Sequence, residues 1–359
     1  MDHDHVLADV RDRFEMVLEA LESDPDFVFN RAVPGKLSLG SLGDIEVGVR
    51  QLIRAHPVEF EDVALGGGDV VRVPTIEEAL RVKAYLTVKR NQVRDYLDVA
   101  ALADATSPLR AAQTLSRIDD YYADQSVDGE PVRSQLTRQL GNPRPQDTHT
   151  ISNLSSYKGL VPRRHRWSDV VDVCREIASH LINEEPHQNQ ESPKMSLAFR
   201  NIDVDPASPV EQWGFEGLLA AVDRGEASDW WRISEAVRRD PWGPVARLLE
   251  GEVFAAAEDS GVVDALRGVI VLHRARAERA ERDEVADQLR TLLDHSGLTQ
   301  GEFASRMGTS RSRLSTYLSG KVVPSAALVV RARRVAGKGQ TLDPLSQGSR
   351  GSRGMSKTR

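Results

Sequence analysis

The amino-acid sequence predicts an α+β first half followed by an all-α second half that ends in two short helices around a tight turn. Short β-branched runs alternate with helical patterns before residue 183, whereas after residue 194 the apolar residues recur only at helical spacing. The stretch 183–194 reads NEEPHQNQESPK, which is polar and contains two prolines. This composition is typical of a linker, and it separates the two halves.

The first half begins with a predicted amphipathic helix over 6–21. Short strands are expected at 37–39 and 45–49, around a Gly-Ser turn, and a further one at 70–73. A helical pattern follows over 75–103 and is expected to break near Asn91. These elements predict a small, incomplete sheet accompanied by helices.

The second half shows helical periodicity in four segments, which are 213–222, 230–238, 242–257 and 262–289. Four of the five tryptophans lie between residues 213 and 242. Such a cluster is usually core, but a surface that grips a toxin or another partner is the alternative. The expected domains are 1–182, 195–280 and 281–337, with the linker at 183–194 and a disordered basic tail at 338–359.

The composition excludes several classes of protein. The chain has 359 residues and a net charge of −7, so it carries no uniformly basic coat, although its last 22 residues hold five basic residues against one acid. No apolar run is long enough to span a membrane, and the N-terminus lacks the features of a signal peptide. The single cysteine, Cys174, rules out an intramolecular disulfide framework. A cytoplasmic protein without membrane partners is therefore expected.

The segment after residue 297 carries a series of helix start and stop signals. Thr299 is expected to cap one short helix, and Gly308 to end it with a sharp turn. Ser310 is expected to cap the next helix, which closes at Gly320, and Pro324 opens a final helix. The apolar positions expected to pack between the two short helices are Phe303, Ala304, Met307, Leu314 and Leu318. Two helices in this arrangement form a helix-turn-helix, whose second helix fits the major groove of DNA.

Residues 285–336 strongly resemble the Xre/Cro-type helix-turn-helix family, with Leu-Thr-Gln at 298–300 and Ser-Gly-Lys at 319–321. The resemblance implies double-stranded operator DNA as the partner and no cofactor for binding. It implies that the base-reading face comprises Arg311, Ser312 and Thr316. Implied phosphate contacts are Gln300 and Lys321, with Ser310, Arg313 and Ser319 as further candidates. A helical bundle that uses the same small residues only for packing is the alternative.

A homodimer on an inverted repeat is also expected, because a single such motif buries little surface on DNA. The long helix predicted over 262–289 is charged on one side and apolar on the other. It could form the dimer interface, or it could pack against its own domain.

The first half contains carboxylates at spacings that suit a divalent metal. Asp2 and Asp4 would point the same way on a strand, and Glu46 lies within another predicted strand. Further on, Lys83, Arg90, Arg94, Asp95 and Asp98 are spaced so that several share a helical face. The alternatives are a frayed terminus for Asp2 and Asp4 and ordinary helix-surface charge pairs for the others.

This pattern of acids followed by Lys83, Arg90, Arg94 and Asp98 is similar to that of the AbiEii-type nucleotidyltransferases, which are toxins of bacterial toxin–antitoxin pairs. The resemblance implies that Asp2, Asp4 and Glu46 bind Mg²⁺, with Lys83 and Asp98 also catalytic. It implies nucleotide binding by Lys83, Arg90 and Arg94. The family's Gly-Ser element should precede Asp2, where only Met1 stands. We therefore expect a truncated and inactive remnant.

Three functions follow from these observations. The preferred one is a sequence-specific transcriptional regulator or antitoxin of a toxin–antitoxin-type system, fused to an inactive nucleotidyltransferase remnant. The alternative is a Mg²⁺-dependent nucleotidyltransferase toxin that modifies tRNA or another nucleic acid and is regulated by its own helix-turn-helix half. A third is a regulator whose first half senses a nucleotide. A cognate toxin or tRNA is a further expected partner.

Overall fold

The computed structural model describes residues 2–7, 9–54, 56–65, 68–125, 129–157, 161–186 and 204–339. The chain forms two compact units, Met1–Ile270 and Val271–Arg359. The first unit contains a small mixed sheet, a separate hairpin and a large helical core. The described part of the second unit contains only helices and the turns that connect them. An N-terminal sheet with helices followed by a helical C-terminal region is the architecture that the sequence predicts.

A four-stranded sheet opens the first unit. Its strands are β1 (Asp2–Leu7), β2 (Phe27–Val33), β3 (Leu37–Leu42) and β4 (Ile45–Gln51), in the order β1-β4-β3-β2. Strand β1 pairs in parallel with β4, and the other pairs are antiparallel. The helix α1 (Phe14–Glu22) follows β1, and its Phe14 packs with Val10 and Val49 in a small apolar cluster. The predicted strands at 37–39 and 45–49 are confirmed as parts of β3 and β4.

The predicted helix over 6–21 is wrong in its first part. Residues Val6 and Leu7 belong to β1, and the helix begins only at Phe14. The backbones of Val6 and Leu7 pair with Arg50 and Gln51 of β4. Apolar spacing within the segment fits a helix, but long-range strand pairing decides its conformation.

A two-stranded hairpin follows the sheet in the chain and precedes the helices. It consists of β5 (Phe60–Ala64) and β6 (Val70–Pro74), and Arg72 faces Asp62 across it with an ion pair of 3.1 Å. Strand β6 confirms the strand predicted at 70–73, whereas β2 and β5 were not predicted. Phe60 and Val70 of this hairpin are exposed to solvent.

Most of the described residues after β6 in the first unit are helical. Its helices are α2 (Ile76–Arg90), α3 (Val93–Ala105), α4 (Pro108–Leu115), α5 (Ile118–Tyr122), α6 (Val132–Gly141), α7 (Trp167–Asn183), α8 (Gly214–Arg224), α9 (Ala227–Arg239), α10 (Pro244–Leu248), α11 (Phe254–Ala256) and the first part of α12 (Ser260–Ser296). The Thr75 hydroxyl accepts the Glu78 N–H and starts α2. Asn91 adopts a left-handed conformation, with φ of 49°, and ends it, which confirms the predicted break.

The apolar core of this unit includes residues from both sides of the 187–203 segment. Buried side chains from Leu80 to Ile182 form one cluster with those from Val210 to Ile270. Trp213 and Trp230 are fully buried in it, whereas Trp242 is exposed. The compact unit therefore extends past the predicted linker to Ile270, and the helices after the linker share the core of the helices before it.

The described part of the second unit, up to residue 339, contains the remainder of α12 and three further helices. These are α13 (Gln300–Met307), α14 (Arg311–Leu318) and α15 (Ala326–Gly339). Its buried core comprises Leu289, Phe303, Ala304, Met307, Leu314, Tyr317 and Ala332. Among the residues that the structure describes, no helix is long and apolar enough to cross a membrane.

Candidate nucleic-acid interface

The helix α13 begins at a reciprocal pair of hydrogen bonds. The Thr299 hydroxyl accepts the Glu302 N–H at 3.4 Å, and the Glu302 carboxylate accepts the Thr299 N–H at 2.9 Å. Together they satisfy two backbone donors that a helix start leaves open. The hydrogen bonds from Thr299 hold the pKa of Glu302 below its usual value. The first helix of the motif therefore starts where the sequence predicts.

The turn between α13 and α14 requires a glycine. Gly308 has φ of +75° and ψ of 39°, a conformation that costs most other residues about 1–2 kcal/mol. The Gly308 and Thr309 N–H groups donate to the carbonyls of Ser305 and Ala304, both at 3.0 Å. These bonds end α13 and turn the chain toward α14. The predicted break at Gly308 is confirmed.

A residue that sequence reasoning missed also supports this turn. The Arg331 guanidinium donates to the Met307 carbonyl at 3.5 Å, and it would lie 3.2 Å from a Cβ built on Gly308. A cation at this position compensates the carbonyls that α13 leaves open at its end. Arg331 belongs to α15 and lies far along the chain, so helical periodicity alone gives no signal for this role.

The second helix of the motif, α14, is capped as predicted. The Ser310 hydroxyl accepts the Arg313 N–H at 3.2 Å. Leu314 and Tyr317 are buried, and Leu318 is half-buried. The sequence predicted Leu314 and Leu318 as the inner face and missed Tyr317, although Tyr317 follows Leu314 at the helical spacing of three residues.

The outer face of α14 is polar and cationic. Arg311, Ser312, Arg313 and Ser315 are exposed, and Thr316 is half-buried. The Thr316 hydroxyl donates to the Arg313 carbonyl at 2.7 Å. The Ser319 hydroxyl donates to the Thr316 carbonyl at 3.2 Å. This face presents two guanidinium groups, which are donors suited to base edges and phosphates, together with short hydroxyl side chains.

The remaining predicted DNA-contacting residues flank α14 in the chain. Gln300 is the first residue of α13 and is half-buried, and Lys321 is exposed just after α14. In the part of the chain that the structure describes, no carboxylate lies within 4.0 Å of the cationic groups of Arg311, Arg313 or Lys321. Their charges are therefore available for an anionic partner.

In the first unit, the structure brings together two of the predicted catalytic residues. The Lys83 ammonium lies 2.7 Å from an Asp98 carboxylate oxygen, joining α2 to α3, and both side chains are about one-third exposed. Arg90 and Arg94 are exposed. Asp95 is buried and accepts the Gln92 N–H, and burial raises the pKa of its carboxyl group. Lys83 and Asp98 neutralise each other in this state.

The predicted metal ligands are placed only in part. Strand register makes Asp2 and Glu46 partners on neighbouring strands, but the side chains of Asp2 and Asp4 lie outside the described residues. The Glu46 side chain is exposed. The described residues include no group of three or more histidine, cysteine or acidic side chains that could hold a metal ion. The described side chains therefore do not test the fit of Mg²⁺ to this site.

A buried ionic network near the start of α2 also escaped the sequence analysis. The side chains of Arg54 and Glu78 are fully buried and lie 2.5 Å apart. Arg81 contacts Glu78 at 2.8 Å and Glu59 at 3.1 Å, and its guanidinium lies over the Tyr121 ring. The network joins the hairpin region to the helices. Nothing in the sequence spacing signals it, because Arg54 and Glu59 come from an irregular segment.

Comparison with known proteins supports the helix-turn-helix. Residues 284–342 match the family described as a helix-turn-helix domain, and this range contains the end of α12 together with α13, α14 and α15. No solved structure matches the chain.

A separate similarity links part of the chain to mycobacterial proteins. "Heme uptake protein MmpL11" of Mycobacterium tuberculosis is 34% identical over 131 residues, covering 36% of this chain and 13% of that protein. "Mycolic acid-containing lipids exporter MmpL11" of Mycolicibacterium smegmatis is 38% identical over 131 residues, with the same coverage. The chain thus spans only 13% of the length of these curated relatives.

The second unit therefore carries a helix-turn-helix domain, by its fold and by the match over residues 284–342.

Proposed function

We propose that the protein is a sequence-specific DNA-binding regulator that inserts α14 into the major groove. The observation that carries this proposal is the outer face of α14, where Arg311 and Arg313 are exposed beside Ser312 and have no carboxylate partner within reach among the described residues. The helix is held by a capped start, a glycine turn and a buried core. A rigid helix with free donors on one face is what direct base readout requires.

The residues divide into two roles. Arg311 is placed at the start of α14 and is proposed to read a guanine with two hydrogen bonds, while Ser312 and Thr316 complete the base-reading face. Arg313 and Lys321 supply charge for phosphates. The remaining proposed backbone contacts are Gln300, Ser310 and Ser319. Phosphate contacts fix the position of the helix, and base contacts give the specificity.

A homodimer is part of the proposal. A single module of this size buries only about 600–1,000 Å² of protein surface on DNA. Two copies on an inverted repeat would double the contact and place the two recognition helices roughly one helical turn of DNA apart. Half-sites separated by about 10 base pairs in a selected DNA sequence would support this arrangement.

The experiment that tests the proposal is selection of a preferred duplex from random DNA, followed by binding measurements at two salt concentrations. Arg311→Ala should weaken binding to the selected duplex by roughly 10- to 100-fold while affecting scrambled DNA much less. The matched control is Arg279→Ala, which removes the same charge from an exposed position of α12 outside the matched segment. Equal, weak binding to both duplexes that ignores Arg311 would contradict base readout by α14.

We further propose that the regulator belongs to a toxin–antitoxin-type system and that its first half is an inactive remnant similar to the AbiEii-type nucleotidyltransferases. The contact between Lys83 and Asp98 supports only the resemblance of the first half, because two residues of the family pattern lie 2.7 Å apart. The rival function is a Mg²⁺-dependent nucleotidyltransferase acting on tRNA. Incubation of the full chain with Mg²⁺, labelled nucleoside triphosphates and tRNA distinguishes them, since only the rival predicts transfer that Lys83→Ala abolishes.

A further inference from the structure

Two runs of helices in the first unit meet along a seam, which we define as the contact between residues 76–183 and residues 204–270. The first run supplies α6 and α7, and the second supplies α9 and the start of α12. The segment 187–203 lies between the two runs in the chain. The seam is therefore the surface along which the chain after this segment binds the chain before it.

Backbones touch directly at one point of the seam. A Cβ atom built on Gly141, at the end of α6, would lie 2.0 Å from the Gly261 carbonyl oxygen. A Cβ on Gly261 would in turn lie 2.0 Å from the Arg138 carbonyl oxygen. Only glycine on both sides permits this approach, so the two runs are shaped for each other.

A second close contact lies between α7 and α12. The Ser179 hydroxyl donates to the Ala265 carbonyl at 3.0 Å, and a Cβ on Gly268 would meet the Ser179 oxygen at 2.0 Å. The same hydroxyl also lies 2.8 Å from the Arg175 carbonyl of its own helix, so its single proton is shared between the two runs. Shape and hydrogen bonding are thus matched along α12 as well as at its start.

The central contact of the seam is made by a half-buried arginine, Arg138. Arg138 of α6 lies over the Trp230 ring, with its guanidinium carbon 4.8 Å from the ring centroid. It pairs with the Asp259 carboxylate and donates to the Gly225 carbonyl at 2.8 Å. All three partners belong to the second run, and Glu130 of the first run lies 3.0 Å from the same guanidinium.

Further polar contacts surround this centre. Arg175 pairs with Asp264 at 2.8 Å, with both side chains partly exposed. The Ser134 hydroxyl accepts the Ala227 N–H at 3.0 Å, in a buried position. Asn142 also contacts Ser260 across the seam, and Asn183 contacts Ser234.

The close backbone contacts, the Arg138–Trp230 pair and the surrounding polar contacts of the seam resemble those of a protein–protein interface. Interfaces between separate chains combine a packed apolar centre with an arginine or tryptophan anchor and a rim of hydrogen bonds and ion pairs. We propose that residues 204–270 act as a built-in protein partner of residues 76–183, binding them through the Arg138–Trp230 centre tightly enough to remain associated without the covalent connection. This proposal does not depend on DNA binding.

The test uses the full chain with a protease recognition sequence, flanked by glycine and serine, inserted after Pro186. Cleavage is verified on a denaturing gel, and the mass of the native species is then measured by size-exclusion chromatography with light scattering across a dilution series. We expect the cleaved protein to keep the mass of the intact chain at micromolar concentration. Separation of the two pieces at that concentration, or their precipitation on cleavage, would overturn the proposal.

A matched pair of arginine variants tests the centre of the seam. Arg138→Ala should raise the dissociation constant of the cleaved pieces at least tenfold. The control is Arg232→Ala, because Arg232 lies over the Trp213 ring at 4.6 Å and donates to Pro206 and Ser208, all within the second run. It should change the constant by less than about threefold. Equal effects of the two variants would contradict the assignment of Arg138 as the anchor.

Arg175→Ala provides a second variant in case Arg138→Ala prevents folding. Its side chain is partly exposed and crosses the seam to Asp264. A smaller but measurable increase in the dissociation constant of the cleaved pieces is expected, about twofold to fivefold. An unchanged constant for Arg175→Ala together with an unfolded Arg138→Ala protein would count against an interface and in favour of an ordinary domain core.

Discussion

The Thr316 hydroxyl donates its proton to the Arg313 carbonyl at 2.7 Å, one turn earlier in α14. A hydroxyl that has donated its proton can still accept a hydrogen bond, but it cannot also donate to an acceptor on a base. On the proposed base-reading face, Thr316 therefore offers an acceptor oxygen and a methyl group. A methyl group at such a position matches the C5-methyl of thymine.

Thr316→Val should consequently retain most of the affinity for the selected duplex, within about threefold, because it keeps the methyl group and the side-chain shape. Thr316→Ser keeps the hydroxyl and removes the methyl group. It should lose affinity, and it should no longer distinguish thymine from uracil in the duplex. The measurement is titration of the selected duplex with each variant. Loss of binding in Thr316→Val with retention in Thr316→Ser would show that the hydroxyl is read instead.

The turn of the motif gives a prediction about stability. Gly308→Ala places a residue with a Cβ atom in a left-handed backbone conformation. It should therefore destabilise the second unit by about 1–2 kcal/mol. The control is Gly301→Ala in α13, where a Cβ would meet nothing within 4 Å, and which should stabilise the unit by about 0.5–1 kcal/mol. Hydrogen exchange of the α13 and α14 amides, followed by mass spectrometry, reports both changes. Similar effects of the two substitutions would contradict a special role for Gly308.

The helix-turn-helix could be predicted from sequence because its signals are local. Its caps and its turn are formed by Thr299, Gly308 and Ser310. Each of these residues makes its hydrogen bonds with residues three or four positions away, within one turn of helix. The break at Asn91 is local in the same sense. Periodicity and capping are therefore sufficient for these elements.

The features that sequence reasoning missed depend on residues far apart in the chain. Strand β1 forms because Asp2–Leu7 pairs with β4, more than forty residues later. Arg331 of α15 contacts the end of α13. Arg138 pairs with Asp259, and the two residues are separated in the chain by the 187–203 segment. No spacing rule within one segment contains this information. The candidate base-reading face was accessible to sequence analysis, but the contacts that support the motif and the seam were not.

The buried pair of Arg54 and Glu78 predicts a strong effect of removing one charge. Glu78→Gln would leave the Arg54 guanidinium buried without its counter-charge, which typically costs about 3–5 kcal/mol. Glu77→Gln, at the neighbouring position, lacks this partner and should change stability by less than about 1 kcal/mol. Urea unfolding followed by tryptophan fluorescence measures both, since all five tryptophans lie in the first unit. A loss below about 1 kcal/mol for Glu78→Gln would show that the pair contributes no net stability.

Glu226 makes the stability of the first unit depend on pH. Burial, with smaller contributions from the nearby Asp229 and Glu130, raises the pKa of its carboxyl group from 4.5 to about 7. Between these two values the folded protein holds a proton that the unfolded chain has released. The contribution of Glu226 to the free energy of unfolding is therefore fully present below pH 4.5 and declines until about pH 7.

Glu226→Gln removes this titration while keeping a side-chain oxygen that can accept the Asp229 N–H at the start of α9. Relative to the wild type, the variant should become more stable as pH rises from 4.5 to 7, by about 1–2 kcal/mol after allowance for solvent screening at this partly exposed position. Urea unfolding at pH 4.5, 6 and 8 gives the difference. The control is Glu216→Gln, at an exposed position of α8. A difference between wild type and Glu226→Gln that is constant from pH 4.5 to 8 would mean that Glu226 ionises equally in the folded and unfolded states.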